Sequence, residues 1–149
     1  RRWPLLLPLV YVLMALGYRT IGLALLAGDG NVGAGRHLLM MGAVGLNIYL
    51  VICIAGRSHC GLALDARPWV VVGAALIVGA ALLRAASAWW GGAPLMAVAG
   101  SGWSLGYLLL LARLGPVLWR PRSDGLSGCA GPAPVPVTGP LPAAGTMAQ

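Results

Sequence analysis

Long apolar stretches alternate with short polar connections along this chain, and four of the stretches are long enough to cross a bilayer. A membrane-spanning helix needs about 20 mostly apolar residues, because each residue advances the helix by only about 1.5 Å. The connections near 28–31, 56–58 and 91–94 are rich in glycine and other turn formers. The pattern therefore predicts four transmembrane helices, at about residues 4–27, 37–55, 68–89 and 94–119.

The predicted fold is an all-α integral membrane protein, a bundle of four transmembrane helices formed by residues 1–124. Helices are favoured because hydrocarbon cannot satisfy the hydrogen bonds of an exposed backbone. From residue 125 onward the chain is rich in proline, glycine and alanine and shows no periodicity. Such a composition does not build a packed core, so residues 125–149 are predicted to form a disordered cytoplasmic tail.

Composition supports contact with the lipid bilayer over most of the surface. Of the 149 residues, 59% are hydrophobic and only 9% are charged, whereas a soluble domain carries about 25% charged residues. The net charge of +7 raises the question of nucleic acid, but such proteins gather their basic residues on one face. Here the arginines occur singly or in pairs beside apolar segments, so we exclude nucleic acid as a partner.

The arginines also predict how the helices are oriented. One side of the predicted spans has a single loop arginine, Arg36, and the other side has most of the rest: Arg1, Arg2, Arg57, Arg67, Arg120 and Arg122. Because basic residues are retained in the cytoplasm, both termini and the second loop are predicted to be cytoplasmic. The expected location is the inner membrane of a bacterium.

Two side-chain patterns refine this topology. Tryptophans at the span ends predict a belt at the headgroup level, formed by Trp3, Trp69, Trp89, Trp90 and Trp119. Arg84 lies near the outer end of the third span, within reach of the headgroups. Arg19 lies deeper in the first span, where a charge is costly, and we expect it to face the bundle or a helix outside these four.

Small residues predict where the helices pack closely. Membrane helices lack a hydrophobic drive toward one another and associate through small residues that let their backbones approach. The candidate packing positions are Gly42 and Gly45 in the second span, Ala75 and Gly79 in the third, and Gly102 and Gly106 in the fourth.

The most specific candidate for metal chemistry is His37, at the predicted start of the second span. Met40 and Met41 follow at i+3 and i+4, so α-helical spacing places all three side chains on one face. An imidazole with thioethers is a ligand set suited to copper or to haem iron. The alternative is an interfacial histidine above two packed methionines.

His59 is a second candidate, in the predicted cytoplasmic loop. It is separated from His37 by 22 positions, or about 30 Å along a helix, so the two cannot bind one metal. The aspartates Asp29, Asp65 and Asp124 all fall in loops, and the chain contains no glutamate. We therefore identify no catalytic constellation and predict no enzymatic activity.

Three segments are similar to the NnrS family. They are residues 37–45 (HLLMMGAVG), residues 59–64 (HCGLAL) and residues 116–125 (PVLWRPRSDG). The family pattern has a histidine at a helix start, then Gly-Ala-aliphatic-Gly, and later a His-containing loop. Cys60 and Leu62 stand where that loop has threonine and arginine, and Ile54 stands where an arginine is usual.

The resemblance implies a polytopic bacterial inner-membrane protein that contains haem and copper and acts in denitrification and the nitric-oxide stress response. It implies functional roles for His37 and His59 and a longer parent whose N-terminal helices would pack against these four. Copper at Met40 and Met41 is a separate hypothesis. The alternative function, from a different class, is a transport or scaffold module without metal, in which the helices only pack.

Overall fold

The computed structural model describes residues 6–28, 31–65, 67–122 and 125–126. It contains four long helices: α1 (Leu6–Ala27), α2 (Gly33–His59), α3 (Trp69–Trp90) and α4 (Ala93–Leu118). Each is long and apolar enough to cross a membrane, and no strand occurs in these ranges. The predicted all-α, four-span architecture is confirmed. The predicted tail lies outside the described residues except for Gly125 and Leu126, as do Arg1 and Arg2.

Helix α2 is one continuous span with three sections. It opens with an α-helical turn, Gly33–His37, continues as a π-helix, Leu38–Val44, and ends as an α-helix, Gly45–His59. A π-helix forms its hydrogen bonds between positions five apart, so it is wider than an α-helix and occurs in short stretches. The π-helical section follows His37 directly.

Helix α2 extends beyond the predicted span of 37–55 at both ends. At its start, Gly35 packs against α1, and a Cβ there would lie only 2.6 Å from the carbonyl oxygen of Gly17. This glycine is part of a close helix crossing and not of a turn. At its end, Arg57 continues the helix, because its guanidinium bonds to the loop that follows. His37 is therefore the fifth residue of the helix, and His59 is its last.

The helices pack around a core centred on the second half of α2. Helices α3 and α4 make the most extensive contact, and α1 packs chiefly on the first half of α2. The largest fully buried side chains include Tyr49 and Leu46 of α2, Leu13 of α1, Ile77 of α3 and Leu114 of α4. Every helix thus contributes to one core.

Glycines bring the helices close together at particular positions. In α4, Gly106 packs on α3, where its Cβ would lie 3.2 Å from the carbonyl oxygen of Gly73, and Gly102 approaches Ala80. In α2, Gly42 approaches Ala81 of α3, and Gly45 approaches the indole of Trp103. Gly106 and Gly45 thus bring the backbone close to another backbone and to a ring, and Gly42 and Gly102 bring it close to the methyl groups of two alanines.

The predicted small-residue face of α3 is wrong. Ala75 is exposed, and a Cβ on Gly79 would meet no atom within 4 Å. The glycine of α3 at the helix interface is Gly73, which lies against the ring of Tyr49. The error arises because small residues occur on several faces of α3, and sequence spacing does not reveal which face meets the aromatic ring.

The tryptophans at the span ends divide into two groups. Trp89, Trp90 and Trp119 are 57%, 81% and 89% exposed, as expected for a belt at the headgroups. Trp69 is buried and donates a hydrogen bond to Asp65, so the prediction that it belongs to the belt is wrong. Trp3 lies outside the described residues. Arg19 is exposed and does not face the described bundle.

The Gly73–Tyr49 contact yields a test of the packing. We expect Gly73→Ala to destabilise the protein by about 1–3 kcal/mol, because the added methyl group overlaps a fully buried ring that cannot move aside. Gly79→Ala in the same helix is the matched control, since its methyl group enters open space. Thermal unfolding in detergent, followed by tryptophan fluorescence, measures both. Equal melting temperatures for the two variants would contradict this account of the core.

Candidate metal-binding site

His37 lies where α2 changes from α-helix to π-helix, near the end of the bundle that contains the α1–α2 loop. Its side chain is half-buried, and the guanidinium of Arg84 in α3 is its charged neighbour. Arg84 is held in turn, since it donates a 2.9 Å hydrogen bond to the hydroxyl oxygen of Ser87. The imidazole is thus positioned on a helix and remains partly accessible from outside the bundle.

The π-helical section changes the backbone hydrogen bonding just after His37. The N–H of Gly45 donates to the carbonyl oxygen of Met40, five positions earlier. In an α-helix this N–H would bond to Met41, so the Met41 carbonyl loses its usual donor. The indole N–H of Trp103 in α4 donates to that carbonyl at 3.4 Å. Helix α4 therefore replaces the hydrogen bond that the Met41 carbonyl loses in the wider turn.

Tyr107 supports the same segment one turn further along α4. Its hydroxyl donates a 2.8 Å hydrogen bond to the carbonyl oxygen of Gly45. The Trp103 and Tyr107 rings lie 4.5 Å apart, and Tyr107 meets Tyr49 edge to face at 6.3 Å. Trp103 and Tyr107 were not among the residues that the sequence pattern predicted for the site. Their i, i+4 spacing within a span was the available signal, because the other tryptophans lie near span ends.

Met40 and Met41 do not share the face that α-helical spacing predicted. Both lie in the π-helical section, whose wider turn rotates position i+3 away from position i. Met40 is 64% exposed, whereas His37 and Met41 are half-buried. The premise of the copper hypothesis, three side chains on one α-helical face, is therefore wrong, and a role for either methionine stays a prediction.

His59 lies at the opposite end of the same helix. Its side chain is exposed, and its carbonyl oxygen accepts a hydrogen bond from Arg122 Nη1 at 3.2 Å. Next to it, the thiol of Cys60 donates to the carbonyl oxygen of Val117 at 3.7 Å. These bonds join the end of α2 to the end of α4. Because one continuous helix separates His37 from His59, the two belong to different sites.

Asp65 organises the loop between α2 and α3, a role that its position in the sequence did not predict. Its carboxylate is buried and accepts hydrogen bonds from the Trp69 indole at 3.0 Å and from the Arg67 backbone N–H at 3.0 Å. Arg57 approaches it at 3.4 Å, and Arg57 Nε also donates to the carbonyl oxygen of Ala63 at 2.7 Å. A loop aspartate is usually solvated, so only the structure reveals this role.

The chain matches the family model described as NnrS protein over residues 1–122. That match covers most of the 149 residues. The chain belongs to the NnrS family. No curated protein and no solved structure matched the chain. The matched region of this NnrS-family chain includes His37, the π-helical section, the Asp65 loop and His59.

The described residues of this NnrS chain offer single ligands and not a closed metal site. They contain no group of three or more histidine, cysteine, aspartate or glutamate side chains placed to hold a metal ion. A groove of about 240 Å³ beside the first loop is lined by apolar side chains with Thr20 and Asn31, without His37. In the part of the chain that the structure describes, His37 belongs to no such ligand group and is a single imidazole that a haem iron or copper ion could accept as one ligand.

The Asp65 network has a defined dependence on pH. Burial by itself raises the pKa of Asp65, but the hydrogen bonds from Trp69 and the Arg67 N–H and the charges of Arg57 and Arg67 outweigh it, so the pKa lies below its ordinary value of 3.8. The ionised carboxylate thus stabilises the folded state above that value. The stabilisation is lost as the pH falls through the lowered pKa.

We expect Asp65→Asn to destabilise the protein by about 1–3 kcal/mol at neutral pH, because a charged acceptor of several hydrogen bonds is lost. The difference from the wild type should begin to shrink below about pH 4 and should disappear as the pH falls through the lowered pKa of Asp65. Arg67→Ala is the control, since Arg67 is 68% exposed and exposed ion pairs contribute little. Thermal unfolding across a pH series measures this, and a difference independent of pH would contradict it.

Proposed function

We propose that this NnrS-family chain forms part of a haem- and copper-containing inner-membrane protein of the bacterial response to nitric oxide and denitrification stress. Family membership supports the class of protein. Haem iron and copper bind nitric oxide and exchange electrons, chemistry that these side chains alone do not supply. The contribution of the chain is to hold ligands at fixed positions in the membrane.

The placement of His37 carries the proposal. It is half-buried at the outer end of α2, immediately before a π-helical section. Such sections are rare, because they cost helical hydrogen bonds unless another group compensates. Those that do occur are frequently found at functional sites. Here Trp103 supplies the compensating donor. A costly backbone geometry is thus maintained directly beside the histidine that the family resemblance identifies.

His59 is proposed as a ligand of a separate site at the cytoplasmic end. The Asp65 network and the bond from Arg122 fix the backbone around it, and its side chain is exposed. Cys60, although next in sequence, directs its thiol to Val117. Any ligand that joins His59 would therefore come from another part of the protein or from a bound group.

The orientation is also a proposal, and it rests on charge. In the described residues, the end of the bundle that contains the α2–α3 loop has Arg57, Arg67, Arg120 and Arg122, and the opposite loops have Arg36. The first end, together with the chain termini, is therefore assigned to the cytoplasm. His37 then lies toward the periplasmic side, and His59 lies toward the cytoplasm.

Spectra and metal analysis of the protein purified from its native membranes test the role of His37. We expect a Soret band in the wild type and its loss by at least about tenfold in His37→Ala, as for removal of a metal-coordinating interaction. Added imidazole should restore part of the band. Asn47→Ala, an exposed polar position of the same helix, is the control. An unchanged band and metal content in His37→Ala would disprove the ligand assignment.

Reporter fusions test the orientation. An alkaline phosphatase domain fused after residue 122 should be inactive, because this enzyme matures only in the periplasm, whereas fusion in the loop between α3 and α4 should be active. A fluorescent protein at the same two sites should give the opposite pattern. Phosphatase activity at the C-terminal site would reverse the assignment of both histidines.

The second candidate function is a transport or scaffold module without metal. The close glycine contacts favour it, since they show helices built to pack, as at Gly35 and Gly106. Protein that folds normally, contains no stoichiometric iron or copper and is unaffected in stability by His37→Ala would support this function over the metal site.

A further inference from the structure

Arg113 lies on the face of α4 that packs on α3. Gly106 marks this face, because a Cβ there would lie 3.2 Å from the carbonyl oxygen of Gly73 in α3. Arg113 follows Gly106 by seven residues, and seven residues turn an α-helix by about 700°, which returns it to about 20° from its starting direction. Arg113 is nevertheless exposed, so α3 does not cover it.

Helix α3 leaves this arginine uncovered because it begins too far along the bundle. Helices α3 and α4 run antiparallel, since only residues 91 and 92 connect them. With Gly106 opposite Gly73, seven residues further along α4 correspond to seven residues earlier in the chain of α3, at about position 66. Because α3 begins at Trp69, Arg113 lies level with the α2–α3 loop, just beyond the end of α3.

Arg67 and Arg120 add to the positive charge at this place. Arg67 is in the α2–α3 loop two residues before the start of α3, and its side chain is 68% exposed. Arg120 follows the end of α4 by two residues and is also exposed. The basic surface is defined here as Arg67, Arg113 and Arg120.

The described residues do not neutralise the basic surface. None of them forms a hydrogen bond or an ion pair with Arg113 or Arg120. Among the residues that the structure describes, Asp65 is the one acid, and it approaches Arg57 at 3.4 Å and Arg67 at 3.3 Å. Its single negative charge is therefore shared by two arginines, and the basic surface keeps an excess of positive charge.

The basic surface lies at the depth of the lipid headgroups. The 22 residues of α3 span about 33 Å, close to the thickness of the hydrocarbon core, about 30 Å. The start of α3 therefore lies near the edge of the core, and Arg67 and Arg113 lie just beyond it. Further into the membrane, Val72 of α3 and Leu105 of α4 are 50% and 54% exposed. Charge at the headgroups with apolar side chains beneath it matches the two parts of a phospholipid.

The sign of the charge indicates which class of phospholipid fits. A zwitterionic lipid brings an ammonium group together with its phosphate, and that cation would be repelled by the arginines. An anionic lipid brings negative charge alone, and guanidinium groups bind phosphate through parallel hydrogen bonds. Basic pockets between transmembrane helices are known to bind anionic headgroups.

We propose that the basic surface binds the headgroup phosphate of an anionic phospholipid whose acyl chains lie against α3 and α4. Arg67 and Arg113 approach the phosphate from two segments of the chain at one level of the bundle. Arg120, about 10 Å further along the axis from Arg113, binds the outer part of the headgroup. This lipid site is separate from the metal sites proposed above and does not depend on them.

A lipid titration of the purified full-length protein in detergent tests the site. A lipid that binds the folded state raises the melting temperature, so thermal unfolding reports its dissociation constant. We expect phosphatidylglycerol to bind saturably and at least about fivefold more tightly than phosphatidylcholine. Inorganic phosphate should leave the melting temperature unchanged, because it has no acyl chains to bury. Equal affinity for the two lipids would overturn the proposal, and so would an equal effect of inorganic phosphate.

Charge removal then locates the site. Arg113→Gln and Arg120→Gln should each raise the dissociation constant of phosphatidylglycerol about fivefold, as expected for one basic residue beside an anionic headgroup. Arg19→Gln is the matched control, because Arg19 is an exposed arginine of α1 outside the basic surface, and its removal lowers the net charge equally. We expect this control to bind the lipid as the wild type does.

The same variants separate a lipid site from a role in folding. Without added lipid, Arg113→Gln and Arg120→Gln should melt at the wild-type temperature, because neither arginine bonds to a described residue. Unchanged lipid affinity in both variants would overturn the proposal. An equal loss of affinity in all three variants would also overturn it, since the lipid would then respond to net charge and not to a site.

Discussion

Hydrocarbon supplies no hydrogen bonds, and the arrangement of this protein follows from where each backbone group finds a partner instead. Along most of the four helices the partner is four residues away in the same helix. The π-helical section of α2 breaks that regularity and leaves the Met41 carbonyl without its normal donor. Trp103 replaces the donor from another helix. The departure from α-helix is thus possible only because α4 packs where it does.

The close approach of α4 depends in turn on glycine. Gly106 lets α4 lie against the backbone of α3, and Gly45 leaves room for the indole of Trp103 beside α2. Gly73 makes space for the ring of Tyr49, which meets Tyr107 edge to face. Aromatic donors and glycines therefore occur together at these helix contacts, where Trp103 and Tyr107 bond to carbonyls of α2 beside Gly45.

Hydropathy predicted the four spans because the free energy of transferring each residue into lipid depends mainly on that residue, and these free energies add along the chain. The ends of α2 were predicted poorly for a different reason. In the sequence Gly35 has the character of a turn former, but in the structure it packs inside a helix against Gly17. The helix continues to His59 because the ion pair between Arg57 and Asp65 stabilises its last turn. The π-helical section was not predictable from its own residues, since its compensating donor lies 62 positions away.

The geometry of the candidate site was likewise predictable from the sequence only in part. The separation of His37 from His59 followed from helix rise alone, but the direction of Met40 depended on the π-helical turn. His37 is held on both sides by contacts that the sequence does not show: two residues before it, Gly35 is fixed against α1, and after it, Trp103 and Tyr107 bond to α2. A metal ligand benefits from such rigidity, because an imidazole that is already oriented loses less freedom when it coordinates. The rigidity around His37 is thus a property of the four helices themselves, and it is what the proposed ligand role of this residue requires.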